Sequence, residues 1–278
     1  MDLYNLTVGG SPLLISIPHS GLFVPEEIKA RFSALASPLP DTDWHIDRLY
    51  DFTQELGATI IKANYSRYVI DLNRPPDDAT LYPGQLKVGL CPAELFNGGS
   101  IYKDGTVPDQ EEINSRREKY WQPYHVEIAA QLQRIKDKHG YALLYDAHSI
   151  PSVMPRLFEG KLPDLNLGTN NGAACAPEIS GIAFAAAKNS KFSSILNGRF
   201  IGGYITRHYG NPGNDIHALQ MELTQLNYMD EKTLAYNEKR AAELRPVLGS
   251  VLSAFLDGAK SVYSPPHTAP TQGLMPKR

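Results

Sequence analysis

Only two cysteines, Cys91 and Cys175, occur in 278 residues. That is too few for a disulfide framework or a cysteine-based zinc knuckle. No lysine or arginine block stands out, and 27 basic side chains against 30 acidic ones leave a formal net charge of −3. Such a balance argues against a nucleic-acid or anionic-membrane partner. No apolar run reaches transmembrane length. The opening Met1-Asp2-Leu3-Tyr4-Asn5-Leu6-Thr7 has neither the basic nor the apolar region of a signal peptide. Internal repeats and linker-like segments are also missing. The expectation is a cytoplasmic protein with one domain over residues 1–278, ending in a loose Pro- and Thr-rich tail from about residue 262. Its composition, 42% hydrophobic and 21% charged, suits a soluble chain with a substantial core.

What is present is a set of apolar runs that end on chemistry. Tyr141 to Tyr145 follows a helical pattern and the stop signal His139-Gly140, then runs straight into Asp146-Ala147-His148-Ser149. A short apolar run after a helix and a glycine reads as a buried strand of an α/β sheet. Open sheets of that kind place ligands at the carboxyl ends of their strands. Asp146 and His148 are two apart and share a face of an extended chain, as a metal ligand and the carboxylate that orients it would. Leu13 to Ile17 is a second such run, stopped by Pro18 and followed by His19-Ser20-Gly21, with Pro25 and Glu26 opening a short helix.

Asp41-Thr42-Asp43-Trp44-His45-Ile46-Asp47 reads as a capped helix start with Asp43 and Asp47 on one face. Three acids and a histidine in seven residues also form a dense set of ligand types. Ala58 to Ala63 is the next strand. Ser66 to Pro76 reads as a strand through Tyr68, Ile70 and Leu72, bracketed by Arg67 and Asn73-Arg74. Arginine forks match carboxylates bidentately, which suggests an acidic small molecule. Residues 79–110 are turn-rich and broken by apolar side chains, so they read as an excursion that covers a site. Glu111 to Lys138 has the periodicity of a core-packed helix. Further on, Arg156 lies in a proline-containing loop and Ile179 to Lys188 is a helix. Arg207 and His208 follow another strand, and Glu231 to Ala259 is a long surface helix. Glu222 stands inside the apolar run Ala218 to Leu223, where a carboxylate is expensive unless paired, metal-linked or carrying a proton.

His19, His148 and one acid of the Asp43/Asp47 segment match the ligand set of a catalytic zinc site with an open position. Glu222 is then free to move protons.

Two resemblances sharpen this reading. Ser66-Arg67-Tyr68-Val69-Ile70-Asp71-Leu72-Asn73-Arg74 resembles the substrate-carboxylate segment of aspartoacylases and succinylglutamate desuccinylases, relatives of the zinc carboxypeptidases. Pro18 to Gly21, Asp41 to Asp47, Leu81-Tyr82-Pro83-Gly84-Gln85, Asp146 to Ser149 and Gly202 to His208 together resemble the N-formylglutamate amidohydrolase (deformylase) family of histidine degradation, across nearly the whole chain. That resemblance implies a three-layer α/β/α sandwich around a mixed central sheet, phosphorylase/hydrolase-like. It also implies hydrolysis of N-formyl-L-glutamate to formate and L-glutamate, a small dicarboxylate substrate, and one divalent metal, expected to be Zn2+.

Carried over by position, the resemblance makes His19 and His148 metal ligands and Glu222 the general base. Arg67 then helps polarise the scissile carbonyl, and Asn73 and Arg74 hold one substrate carboxylate. Arg156 or Arg207 is expected to hold the other. The carboxypeptidase relatives supply an acid three residues after the first histidine, where this chain has Leu22. Asp47 is favoured in its place, with Asp43 and Glu26 open and His45 a weaker substitute. Two other readings remain: a deacylase of another acidic N-acyl amino acid (succinyl- or acetyl-glutamate or -aspartate), and a non-catalytic binder of acidic amino acids.

Overall fold

The computed structural model describes residues 1–80 and 88–264. Its strands are β1 (Tyr4–Thr7), β2 (Leu13–Ile17), β3 (Thr59–Ala63), β4 (Ala142–Ile150), β5 (Leu165–Gly168), β6 (Ser194–Leu196) and β7 (Ile216–Thr224). They form one seven-stranded sheet in the order β1-β3-β2-β4-β7-β5-β6. β3, β2, β4 and β7 run parallel, β1 pairs antiparallel to β3 and β5 antiparallel to β7, and β6 runs parallel to β5, so the sheet is mixed. The α-helices are α1 (Glu26–Lys29), α2 (Ile46–Leu49), α3 (Gln110–Arg116), α4 (Gln122–His139), α5 (Pro177–Lys188), α6 (Tyr204–Tyr209) and α7 (Glu238–Tyr263).

Both faces of β2, β4 and β7 are buried, as crossover helices require. Leu13, Ile15, Leu143, Tyr145, Leu219 and Met221 face a core shared with α5 and α7. Leu14, Ala142, Leu144 and Ala218 face the opposite core, shared with α4 and Ile205 of α6. Because side chains alternate along a strand, the even-numbered face of β4 and β7 carries Asp146, His148, Gln220 and Glu222 once the apolar residues give out. This is the three-layer α/β/α sandwich expected, with its polar residues at the carboxyl ends of the central strands.

Four expectations change. Residues 66–74 form no strand. They make a buried series of turns in which Val69 N donates to Ser66 O (2.9 Å), Asp71 N to Leu90 O (2.7 Å) and Arg74 N to Asp71 O (3.3 Å). The alternation of Tyr68, Ile70 and Leu72 gave no real choice of face, since Val69, Asp71 and Asn73 are equally buried. Helical structure from Gln110 to His139 is interrupted by a π turn over residues 117–121. The last helix starts at Glu238 rather than Glu231. Asp230 holds the preceding turn through the backbone N–H groups of Lys232 (3.0 Å) and Thr233 (2.8 Å), and Asn237 caps α7. That helix continues to Tyr263, so ordered structure extends past the expected start of the tail; residues 265–278, and the Leu81 to Gln85 motif, lie outside the described residues.

α5 and α7 approach closely because small residues line the crossing. A Cβ built on Gly258 would stand 3.1 Å from Ile179 O. Phe255 is fully buried in that layer. Phe255→Ala is expected to lower unfolding free energy by about 3–5 kcal/mol in a urea titration; a loss under about 1 kcal/mol would mean that this layer does not carry the core.

Candidate active site

Three neighbouring strands deliver the central groups. His19 stands two residues past β2, His148 lies in β4, and Glu222 lies in β7 directly opposite His148 in the parallel register. All three are buried. Asp43 joins them from a turn tied to the end of β2, its N–H donating to His19 O at 3.1 Å. His148 Nδ1 is 3.0 Å from Asp43 Oδ2, and His19 Nδ1 is 3.8 Å from the same oxygen. On the far side of each ring a carboxylate is waiting. His19 Nε2 lies 2.7 Å from Asp71 Oδ1, and His148 Nε2 lies 2.9 Å from Asp146 Oδ2.

That pattern, with one ring nitrogen on a carboxylate and the other turned inward, is how metal-binding histidines are oriented. His19 Nδ1 is buried without a hydrogen-bond partner. Such a donor or acceptor is costly unless something else meets it. His19, Asp43 and His148 each offer one atom within 4.8 Å of the others. Two imidazoles and a carboxylate suit zinc or a similar divalent ion and leave a position open. The residues therefore fit the metal that the resemblance implies.

Asp47 does not join this group. His45 adopts a left-handed backbone (φ 60°), so the helix begins only at Ile46 and the four-residue spacing of Asp43 and Asp47 no longer sets a shared face. Asp43 turns inward. Asp47 is 41% exposed and pairs with Lys62 at 2.9 Å. Glu26 is exposed on α1, and His45 Nε2 is 2.8 Å from Leu234 O. The acid beside the two histidines is Asp43.

The pocket above this cluster is lined by His19, Asp43 and His148, by Glu222 and Gln220 of β7, by Arg67, Asn73, Arg74 and Arg199, and by apolar walls that include Val88, Phe96 and Phe200. Arg67 is buried among acids, 2.7 Å from Asp71 Oδ2 and 3.7 Å from Asp43 Oδ1, with Phe96 packed under its guanidinium. Asp71 thus links His19 to Arg67. Asn73 Nδ2 is 3.2 Å from Asp146 Oδ2 and 2.9 Å from His148 Nε2, and its Oδ1 accepts from Ile205 N at 2.8 Å. Its amide therefore donates to the same Asp146 oxygen that His148 Nε2 meets, bracing the histidine through that carboxylate as well as lining the pocket. Gly203 is required beside it, because a Cβ there would stand 2.3 Å from Asn73 Nδ2.

Arg156 is not part of the lining. It pairs with Glu94 at 2.8 Å and donates to Leu95 O at 3.1 Å. Arg207 is also outside the lining, its Nε donating to Gly202 O at 2.8 Å. Beside Arg67 and Arg74, the pocket wall holds Arg199, whose Nε donates to Leu157 O at 2.7 Å. Sequence reading passed over Arg199, Asp71 and Gln220. Asp71 and Gln220 each stand two residues before a residue already singled out, Asn73 and Glu222, and that spacing was the available signal. Arg199 carried none beyond its place ahead of Gly202-Gly203.

Charge in the cluster is uneven. Asp43, Asp71, Asp146 and Glu222 are buried against one fully buried guanidinium, Arg67, an excess of negative charge that a cation relieves. Burial would raise the Asp71 carboxyl, yet His19 and Arg67 hold it well below the carboxylate range. Burial, aided by Arg67, pushes His19 down against the pull of Asp71. His148 is raised despite its burial, by Asp146 and Asp43. Burial pushes Glu222 up to about 8, against His148 and Arg67.

A model of the N-formylglutamate amidohydrolase family matches residues 11–229. The chain belongs to the N-formylglutamate amidohydrolase family. Two relatives named N-formylglutamate deformylase are similar over nearly their whole length. The one from Pseudomonas putida is 49% identical, covering 89% of this chain and 93% of the relative. That from Pseudomonas aeruginosa (strain PAO1) is 48% identical, covering 95% and 99%. The crystal structure of N-formylglutamate amidohydrolase from Ralstonia eutropha JMP134 superposes with a TM-score of 0.80 at 23% identity, covering 94% of this chain and 99% of that one. At that identity it supports the fold. Membership of the N-formylglutamate amidohydrolase family makes the chain an amidohydrolase. No helix among the described residues is long and apolar enough to cross a membrane.

The two candidate acids separate cleanly by metal content. After dialysis against zinc and then buffer, Asp43→Asn is expected to lose most bound metal, and Asp47→Asn to retain about one equivalent per chain. Elemental analysis reads both; the reverse order would return the ligand role to Asp47.

Proposed function

We propose that the chain hydrolyses N-formyl-L-glutamate to formate and L-glutamate, with one divalent ion, expected to be zinc, held by His19, Asp43 and His148. The observation that carries this is the shared pocket, in which a buried two-histidine, one-carboxylate group, the buried Glu222 and three arginines face one space. A bound ion at such a site lowers the pKa of water and polarises a carbonyl.

The chain's own residues supply the rest. Glu222 takes a proton from the water that adds to the formyl carbon. Arg67, fixed by Asp71, faces the negative charge that develops on the formyl oxygen. When the carbon–nitrogen bond breaks, formate leaves, and Glu222 returns the proton to the departing amine, giving glutamate. A substrate with two carboxylates needs two cationic anchors. Arg74, in the pocket wall, keeps the role expected of it, and Arg199, also in the wall, takes the second in place of Arg156 or Arg207. Asn73 holds His148 and Asp146 in line. In this reading the reaction is the cytoplasmic step of histidine degradation that the family resemblance implies.

Formate release from N-formyl-L-glutamate is expected to stop on chelation and return with zinc. Release of succinate or acetate from the corresponding N-acyl amino acids, without formate release, would move the substrate assignment; no turnover of any of them would end it. Glu222→Gln is expected to lower kcat by about 10²–10⁴-fold with metal retained. Arg199→Ala should raise KM by about tenfold or more while Arg156→Ala leaves it nearly unchanged. Equal KM values for those two variants would return Arg156 to consideration.

A further inference from the structure

Neither Trp121 nor His125 lines the pocket, yet both reach the backbone that shapes it. Trp121 Nε1 donates to Arg74 O at 3.0 Å, and His125 Nε2 lies 2.8 Å from Leu72 O. Those two carbonyls flank Asn73. The two rings stack, with centroids 3.7 Å apart and 25° between planes. Tyr209 lies nearly parallel to His125 with ring centroids 5.9 Å apart, and its hydroxyl lies 3.0 Å from Nδ1 and 2.9 Å from His125 O. From the opposite side, Tyr204 N donates to Asn73 O at 3.3 Å, and Asn73 N donates to Asp71 Oδ1 at 2.9 Å.

A carbonyl can only accept, so the His125 proton sits on Nε2. Burial pushes this imidazole down to about 3, which keeps that arrangement neutral across the working range. The π turn explains how both rings reach the segment. Gln122 N donates to Arg117 O, five residues back, and Pro123 has no N–H to offer Lys119 O. One extra residue turns everything after it by about 100° relative to α3. Trp121 closes that turn, and His125 follows four residues later on the same face.

We propose that Trp121 and His125 act together as positioning residues, fixing the backbone on either side of Asn73 so that Arg74 is aimed at a substrate carboxylate and Asn73 at His148. The catalytic part of this rests on the function proposed above. The clamp itself does not, and two readouts keep them apart.

The first is amide hydrogen exchange in the metal-loaded protein. Trp121→Phe and His125→Phe keep the rings and remove the donors. Exchange at the amides of residues 71–74 is expected to quicken in both variants, with residues 142–150 unchanged. Unaltered protection of 71–74 would overturn the clamp whether or not the protein releases formate.

The second is steady-state kinetics with N-formyl-L-glutamate. Each variant is expected to raise KM roughly 3- to 30-fold, with kcat changing less than about threefold. His125→Gln, whose amide N–H can take the place of Nε2, is expected to recover most of the KM. In an Arg74→Ala background, Trp121→Phe should add less than about twofold, because no guanidinium remains to be aimed. Full additivity of the two substitutions, or a failure of His125→Gln to recover KM, would leave the pair with a structural role alone and sink the proposal. A wild-type protein that releases no formate would overturn the function proposed above, and the exchange result would then decide the clamp.

Discussion

Four buried carboxylates converge where β2, β4 and β7 end, and everything else in the site answers that accumulation of charge. Isolated, such a cluster would be prohibitive in a protein interior. Here Arg67 lies against Asp71 and near Asp43, and the two histidines each take a carboxylate on one nitrogen. The inward nitrogens and Asp43 then leave a gap of the size and donor type that suits a divalent cation. Asp71 has a double task, since one oxygen orients His19 while the other orients Arg67. In the proposed mechanism, metal site and oxyanion site are therefore built from one carboxylate and cannot be tuned separately.

Much of this was legible in the chain and some of it was not. Apolar runs that end abruptly in Asp-x-His or Pro-His mark strands entering a site, because a buried strand has no other reason to stop on titratable groups. Glu222 stood out for the same reason, as a carboxylate inside an apolar run. Arg67, Asn73 and Arg74 were also visible, although in turns instead of a strand. A buried turn segment and a strand buried on both faces have the same composition.

The misplaced acid has a different cause. Asp43 and Asp47 were read against a regular helix, and a single left-handed residue, His45, removes that premise. Histidine enters the left-handed region more often than most non-glycine residues but still uncommonly, so periodicity could not have chosen between the two acids. The loop arginines could not be placed for want of topology. Arg156, Arg199 and Arg207 all follow Pro- or Gly-containing segments, and only the folded loops decide that Arg199 meets the pocket while Arg156 meets Glu94.

Sheet order is the deeper reason that the site has no compact motif. Asp43 and His148 are 105 residues apart, and nothing along the chain links them. They meet because β2 lies beside β4 and β4 beside β7. Strand pairing fixes His148 opposite Glu222, and a turn hung from His19 O brings Asp43 across. Each candidate ligand thus inherits its position from backbone hydrogen bonds in or beside the central strands. Turns and loops supply the arginines of the pocket wall, and of these Arg199 was the one that the sequence did not mark. The rigid half of the site is set by strand adjacency and the variable half by turns, which is the division expected of a scaffold that keeps one chemistry and adjusts what it accepts.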